Sequence, residues 1–356
     1  MKILIVCNIN SYANPYVETL YKGLQQKGID ITCSISEFWN NVTAYDLVHI
    51  QWPNLLVDDN DKSCSKLNEI IAKIKLNKIT LICTCHNLVP HYNSSAVLHN
   101  IYKIVYKNCD YIHHLGETSI QLLKDLYPDM KAKHFVVPHH TYDEIYNLNI
   151  SKEEARKVLK IPQDVKCILS VGMFRHDEER KILIDLRKHL NKNEFYILAP
   201  GFFWTTIIRK NIFLALKALF LTIKYTLIAR YYGIHICHKF VPNEILPFYL
   251  KASDVMLIQR KKILNSGNVS LAMLAGLPIV GPNDGNVESL LRKTGNFVFD
   301  KNNLSNLSEL ILEALSDESL GKQNFYYAIN NLTTSSVVDS LISYYKSFLF
   351  IKKNIK

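Results

Sequence analysis

The sequence predicts an α/β protein of two doubly wound parallel-sheet domains, and three observations carry that prediction. The chain has 356 residues, more than one ordinary hydrophobic core organises, so two domains are the natural division. Short runs rich in β-branched and aromatic residues alternate with helical patterns along the whole length. Such alternation implies parallel sheets, because a crossover between parallel strands needs a helix. The plan occurs twice, with a join near Thr141 to Ser151.

In chain order, the first set of strands is expected near 2–7, 30–34, 46–50, 79–85, 110–114 and 134–137, with helices between most of them. The second set is expected near 165–171, 194–199, 234–238, 254–258, 278–281 and 296–299, with helices from about 303 to the end. The boundaries that follow are 1–145 for an acceptor domain, 150–332 for a nucleotide-sugar domain, and 333–356 for a terminal helix able to cross back to the first domain. Both domains are Rossmann-like, and in such sheets ligands bind beyond the carboxyl ends of the strands, so two facing domains make a cleft.

Composition narrows the class. Hydrophobic residues at 48% with charged residues at 21% describe a globular protein and exclude a disordered or fibrous one. Met1 to Cys7, apolar for only five residues before Asn8, reads as a first strand, too short for a signal-peptide core or a membrane span. The eight cysteines show no CxxC spacing and read as buried reduced thiols, which fits a cytoplasmic location. With only twelve glycines, a phosphate site must rely on helix ends and cations.

Two segments about 90 residues apart suit that task. The first is the buried strand Cys167 to Val171, followed by Arg175 and Lys181 at the mouth of the next helix; Arg180 beside Lys181 is an alternative cation. In the second, Ser266, Gly267, Asn268 and Val269 open a short helix that Gly276 ends. Free backbone N–H groups and the positive end of the helix dipole then face one spot, which suits a diphosphate.

At this point the chain resembles the GT-B fold glycosyltransferases, and within them glycosyltransferase family 4 (group 1). Arg175 and Lys181 match the family's strand-end arginine and the lysine six residues later, which bind the donor diphosphate. The run Gly276 to Val280 looks like the family's helix-to-strand join. Asn14-Pro-Tyr16, Val48 to Pro53, Thr84 to His91 and Val137-Pro-His139 resemble a subgroup of polysaccharide and glycolipid assembly enzymes. The resemblance implies a retaining hexosyltransferase acting in cell-surface polysaccharide synthesis, with a UDP- or GDP-sugar as donor. It also implies a glycan or lipid-linked acceptor, with no metal cofactor. The chain departs from the family pattern where two glutamates usually flank the nucleotide-sugar helix, for those positions are Ile263 and Leu271. The Asn265 to Asn268 turn is expected to face the donor instead. The missing carboxylates keep open a second function, that of a catalytically weak subunit docking a partner glycosyltransferase.

Further candidates follow from position. His86 leaves an apolar strand at its end and matches a histidine close to the transferred sugar in the resemblance, against the plainer reading of a satisfied structural group. His91 and His139 are acceptor-side candidates, as is Asn14, whose other role would be capping a helix that begins at Pro15. Glu288 either contacts the donor or favours a helix start. The histidines lack zinc-ligand spacing, and Asp58 to Asp61 reads as a polar loop before a helix.

Net charge is +10, and its placement matters. No acidic residue lies between Glu194 and Glu244, where Arg209, Lys210, Lys217, Lys224, Arg230 and Lys239 fall. Segment 202–232 is apolar and aromatic but too interrupted by cations to span a bilayer. It is expected to lie on an anionic membrane surface, at the inner face of the cell membrane, the other reading being a core helix pair with a solvated basic stripe. It is too apolar for nucleic acid.

Overall fold

The computed structural model describes residues 1–9, 15–56, 61–90, 95–203, 212–237 and 241–354. The apolar runs become strands because turn residues bracket them and the central ones, such as Leu47–Ile50 and Thr80–Thr84, are buried on both faces, where alternation is unnecessary. The strands are β1 Lys2–Val6, β2 Asp30–Cys33, β3 Leu47–Ile50, β4 Thr80–Thr84, β5 Tyr111–His114 and β6 Lys133–Val136. A second set comprises β7 Lys166–Leu169, β8 Phe195–Ala199, β9 Ile234–Ile236, β10 Val255–Leu257, β11 Ile279–Pro282 and β12 Phe297–Phe299. Every expected strand forms, within a residue or two of its expected ends.

The sheets are six-stranded with orders β2-β1-β3-β4-β5-β6 and β12-β11-β10-β7-β8-β9, and neighbouring strands pair in parallel, as with Ile3↔Leu47 and Lys166↔Phe195. The chain divides into one unit of Met1–Tyr142 with Asn331–Lys356, and a second of Asp143–Asn330.

In the first unit, helix α1 (Tyr16–Gln26) packs on α14 (Thr334–Asn354). Their approach needs a glycine, since a Cβ on Gly23 would lie 2.8 Å from Val338 Cγ2. The terminal helix also carries Tyr345, whose hydroxyl meets His49 Nδ1 at 2.6 Å, and Phe348, stacked on Tyr111 at 3.6 Å. Pro15 occupies the N-cap of α1 itself, one place earlier than its expected position inside the first turn. Asn14 lies outside the described residues, as do His91, Lys210 and Asp58.

In the second unit, helices α7 (Asp177–Lys188), α8 (Ile212–Tyr232) and α12 (Leu307–Ser316) contribute to one buried cluster. There Ile182, Leu183, Leu186, Tyr225, Ala229 and Ile311 meet Ile168, Ile197, Leu257 and Val280 of the strands. On α6 (Lys152–Leu159), buried Arg156 pairs with Asp254 at 2.8 Å and donates to the Ala252 carbonyl, tying that helix to the entry of β10.

Candidate functional site

The second unit's strand order reverses between β7 and β10, and the crevice at such a reversal is where doubly wound sheets bind ligands. Buried Ser170, just past β7, donates its hydroxyl to Gln259 Oε1 just past β10 at 2.9 Å, joining the two strand ends.

Beyond Ser170 the chain turns at Gly172, whose φ of +105° lies in the region open to glycine. The loop after β8 presses against it. A Cβ on Gly201 would stand 1.8 Å from the Gly172 carbonyl oxygen, so Gly201 is required by backbone contact and Gly172 by its φ. Phe174 N–H then donates to the Gly201 carbonyl at 3.1 Å. These contacts fix the direction in which the chain delivers Arg175.

Helix α10 (Gly267–Leu274) begins beside this loop. The Asn268 side chain donates to the Val171 carbonyl at 3.0 Å, anchoring the helix N-terminus to the end of β7. No side chain caps α10 at Ser266; the Val269 N–H donates to the Ser266 carbonyl at 3.2 Å, and the helix start carries the partial positive charge of its dipole. The approach 259–266 is held from behind by α11 (Gly285–Lys293): Asp284 accepts from Ile263 N–H at 2.6 Å and Asn286 N–H donates to the Leu264 carbonyl at 2.8 Å. Gly285 is at φ +57°, with Ile263 O only 2.5 Å from where its Cβ would stand.

The charges at this rim are mostly positive. Arg175 and Lys181 are exposed, and among the described residues neither side chain makes an ion pair. A third cation, Arg260, follows β10, with Nη2 donating to the Met173 carbonyl at 3.1 Å. Buried Glu179 organises the group, accepting from Arg175 N–H at 2.7 Å and lying 3.7 Å from Arg260 Nε. Burial and then the Arg175 charge lower the pKa of Arg260, and Glu179 opposes them. A guanidinium stays protonated regardless, so the rim keeps an excess of positive charge. An anion would relieve it.

Arg180 is no alternative to Lys181. Its guanidinium is buried, donates to the carbonyls of Phe202 at 2.7 Å and Phe174 at 2.8 Å, and stacks over Tyr225 at 4.8 Å. It braces the loops after β7 and β8 from within. The pattern sends position 181 outward and 180 inward because α7 turns about 100° per residue.

Of the other expected donor contacts, Glu288 pairs with Arg292 on α11 at 2.9 Å. Ile263 and Leu271, where carboxylates were missed in sequence, are buried apolar side chains. Sequence reasoning passed over Arg260, although the signal was the one that marked Arg175: a cation directly after a buried strand, in Ile258-Gln-Arg260. Gly201 carried no such signal, since its need arises only from the loop facing it.

The first unit's strand ends are different. Its order reverses between β1 and β3, and Gln51 and Trp52 follow β3 there. His86 is held by Gln51 Oε1 at 3.1 Å from Nε2, stacks on Trp52 with centroids 4.3 Å apart, and meets Tyr16 edge-on at 5.1 Å. Burial, with the neighbouring histidines His113, His139 and His49, keeps its pKa well below the ordinary value, so the ring is neutral. His139 lies against Tyr16 at 4.6 Å and its Nδ1 bonds the His140 carbonyl at 2.8 Å; burial lowers it to about 4. Behind them, Thr84 Oγ1 joins His49 Nε2 at 2.8 Å and His113 Nδ1 at 3.0 Å. The structure thus gathers His86, His139 and Tyr16. Among the described residues, no His, Cys, Asp and Glu cluster has a metal-holding arrangement.

No family model matches the sequence, and no curated protein is similar to it in sequence. Solved structures are similar in fold. A sucrose-phosphate synthase from Thermosynechococcus elongatus superposes with a TM-score of 0.76 at 12% identity, over 98% of this chain and 99% of that one. Anabaena HepE, in complex with UDP and glucose, gives 0.70 at 11% identity over 98% and 100%. WaaG, a glycosyltransferase involved in lipopolysaccharide biosynthesis, gives 0.61 at 12% identity over 96% and 98%. The two six-stranded parallel sheets with flanking helices are therefore the GT-B fold.

Proposed function

We propose that this chain is a glycosyltransferase that moves a hexose from a UDP- or GDP-sugar to a glycan acceptor, carried on a lipid, in the assembly of a cell-surface polysaccharide. One observation carries the reading: Arg175, without an ion-pair partner among the described residues, stands with Arg260 beside the start of α10 at the strand-order reversal of the second unit, and Lys181 is exposed on the helix that follows. Breaking the bond from sugar to diphosphate puts negative charge on the leaving oxygen. Preorganised cations and helix N–H groups stabilise that charge without reorganisation, and such groups are most effective in a water-poor crevice. Neighbours of the same fold bind UDP with glucose and act in lipopolysaccharide biosynthesis, which supports this donor and acceptor class.

In this reading the carboxylates usual beside the donor sugar are replaced by the Asn265 to Asn268 turn. Asn265 is held by Asn286 Nδ2 at 2.7 Å, and Asn268 by Val171, so the turn presents fixed amides. The acceptor belongs to the first unit, where neutral His86, oriented by Gln51 and Trp52, hydrogen-bonds sugar hydroxyls without competing as an acid. A retaining outcome agrees with the resemblance of Arg175 and Lys181 to the retaining enzymes.

The test is release of nucleoside diphosphate from a panel of UDP- and GDP-hexoses by the purified chain, after thermal-shift ranking of UDP, GDP and CMP. Turnover of one hexose donor, with stabilisation by its own nucleotide, is expected. Stabilisation by none of the three, with no release from any donor, would contradict the reading.

A further inference from the structure

Helix α8 is apolar on two opposite sides, and only one of them faces the protein. Tyr225 and Ala229 are buried in the second unit's core, with Leu221, Ile228 and Tyr232 packed around them. Leu216, Phe220, Ile223, Leu227 and Tyr231 recur every three or four residues on the other side, the spacing of one helical stripe. They are 57%, 66%, 51%, 61% and 74% exposed. Leu227 sits two residues from both Tyr225 and Ala229, about 200° around the helix from each. Single exposed apolar residues are ordinary on a protein surface, but a continuous stripe of this kind marks an interaction site.

The charges beside the stripe identify its occupant. Lys217 and Lys224 are exposed along one flank and Arg230 on the other. At the C-terminal end, Lys192 Nζ donates to the Tyr231 carbonyl at 2.7 Å and lies 5.6 Å from that ring's centre. No acidic residue occurs between Glu194 and Glu244. The nearby Asp177 is exposed, but its carboxylate is already engaged by Arg180 and the Tyr225 hydroxyl. A second copy of this helix would set lysine rows against lysine rows, without an acid to compensate. Among the described residues, no helix is long and apolar enough to cross a membrane.

We propose that the outer face of α8 is a membrane-docking surface, lying in the plane of an anionic leaflet with Leu216, Phe220, Ile223 and Leu227 below the headgroups and Lys217, Lys224, Arg230 and Lys192 among the phosphates. The two terms act together, since apolar insertion anchors the helix and cations raise its affinity for negatively charged lipid. Tyr231, amphipathic and next to Lys192, sits at the headgroup level. The surface is independent of the donor site, so its test does not depend on transfer activity.

The test is co-sedimentation of the full chain with vesicles of equal parts phosphatidylcholine and phosphatidylglycerol, and with phosphatidylcholine alone. Wild type should pellet with the anionic vesicles at about 0.1 M salt and release in large part at about 0.5 M, because the screening length shrinks about twofold. Lys217→Glu with Lys224→Glu should lower the partition coefficient by at least about tenfold. Phe220→Ser with Leu227→Ser should abolish binding to either vesicle, with an unchanged thermal unfolding midpoint because both side chains lie outside the core. Sedimentation velocity without lipid should show a monomer. Wild type staying in the supernatant at low salt would overturn the proposal. So would binding indifferent to the serine changes, or a lipid-free oligomer that those changes dissolve.

Discussion

The two units share a topology and differ in what they place at the ends of their strands. The second unit ends its strands in cations, glycine-dependent backbone contact and an uncapped helix. The first ends its strands in neutral histidines, aromatic rings and amides: His86 on Trp52 and Tyr16, and His139 on Tyr16 and Tyr142. In the proposed function the second meets the negative charge of the donor and the first the neutral hydroxyls of the acceptor. A duplicated scaffold thus separates two binding chemistries, because a Rossmann-like sheet fixes where a ligand sits while the loops decide what it is.

The largest expected effect falls on the charged side. Arg175→Ala or Lys181→Ala should each cost about 2 to 4 kcal/mol of transition-state stabilisation, read as kcat/KM for donor turnover, with the unfolding midpoint unchanged. Arg180→Ala reverses the pattern. Removing a buried guanidinium that serves two carbonyls and the Tyr225 ring should destabilise the second unit by about 2 to 4 kcal/mol in chemical denaturation. If Arg175→Ala unfolded the protein and Arg180→Ala spared it, the division of labour would be wrong.

Gly201→Ala tests the scaffold of the same site. A methyl group 1.8 Å from the Gly172 carbonyl must push the two loops apart. Loss of at least about 2 kcal/mol of nucleotide affinity is expected by calorimetry, because Arg175 and the α10 start are placed by that contact. Unchanged affinity would show that loop spacing is unimportant.

The smallest effect is one of pH and falls mostly on the first unit, since the second contributes only His235 among the described histidines with a lowered pKa. Burial lowers His113 to about 4, and burial with His134 lowers His114 to about 3. The unfolded chain takes up these protons near pH 6.5, the folded one only near 4 or below, so the unfolded state is favoured as the pH falls through that window. Stability contributed by neutral His113 is fully present above about pH 6.5. It should decline by up to about 1.4 kcal/mol per pH unit until about 4. His113→Gln should flatten the acid limb of a pH series of urea melts, and an unchanged limb would place the titration elsewhere.

The sheets were legible because strands buried on both faces are written as apolar runs, and parallel pairing demands the helices between them. The cation pair was legible in part. Arg175 and Arg180 look alike in sequence, and only packing against Phe202 and Tyr225 turns one inward. Arg260 was readable by the rule that found Arg175. By contrast, the bond from Gln51 to His86 joins different strand ends, and the contact of Gly201 with Gly172 joins different loops, so neither has a local sequence signature. On α8 the lysines at seven-residue spacing were visible, but apolar residues fill both of its sides, and burial alone shows which side is core.

In the proposed function the second unit binds a nucleoside diphosphate through Arg175, Lys181 and the α10 start. The most direct test of that reading is calorimetric titration of UDP and GDP into wild type and into the Arg175→Ala, Lys181→Ala double variant. One nucleotide should bind wild type and lose at least about a hundredfold in affinity, about 2.7 kcal/mol, in a double variant that melts at the wild-type temperature. Equal affinity in the two proteins would contradict the account.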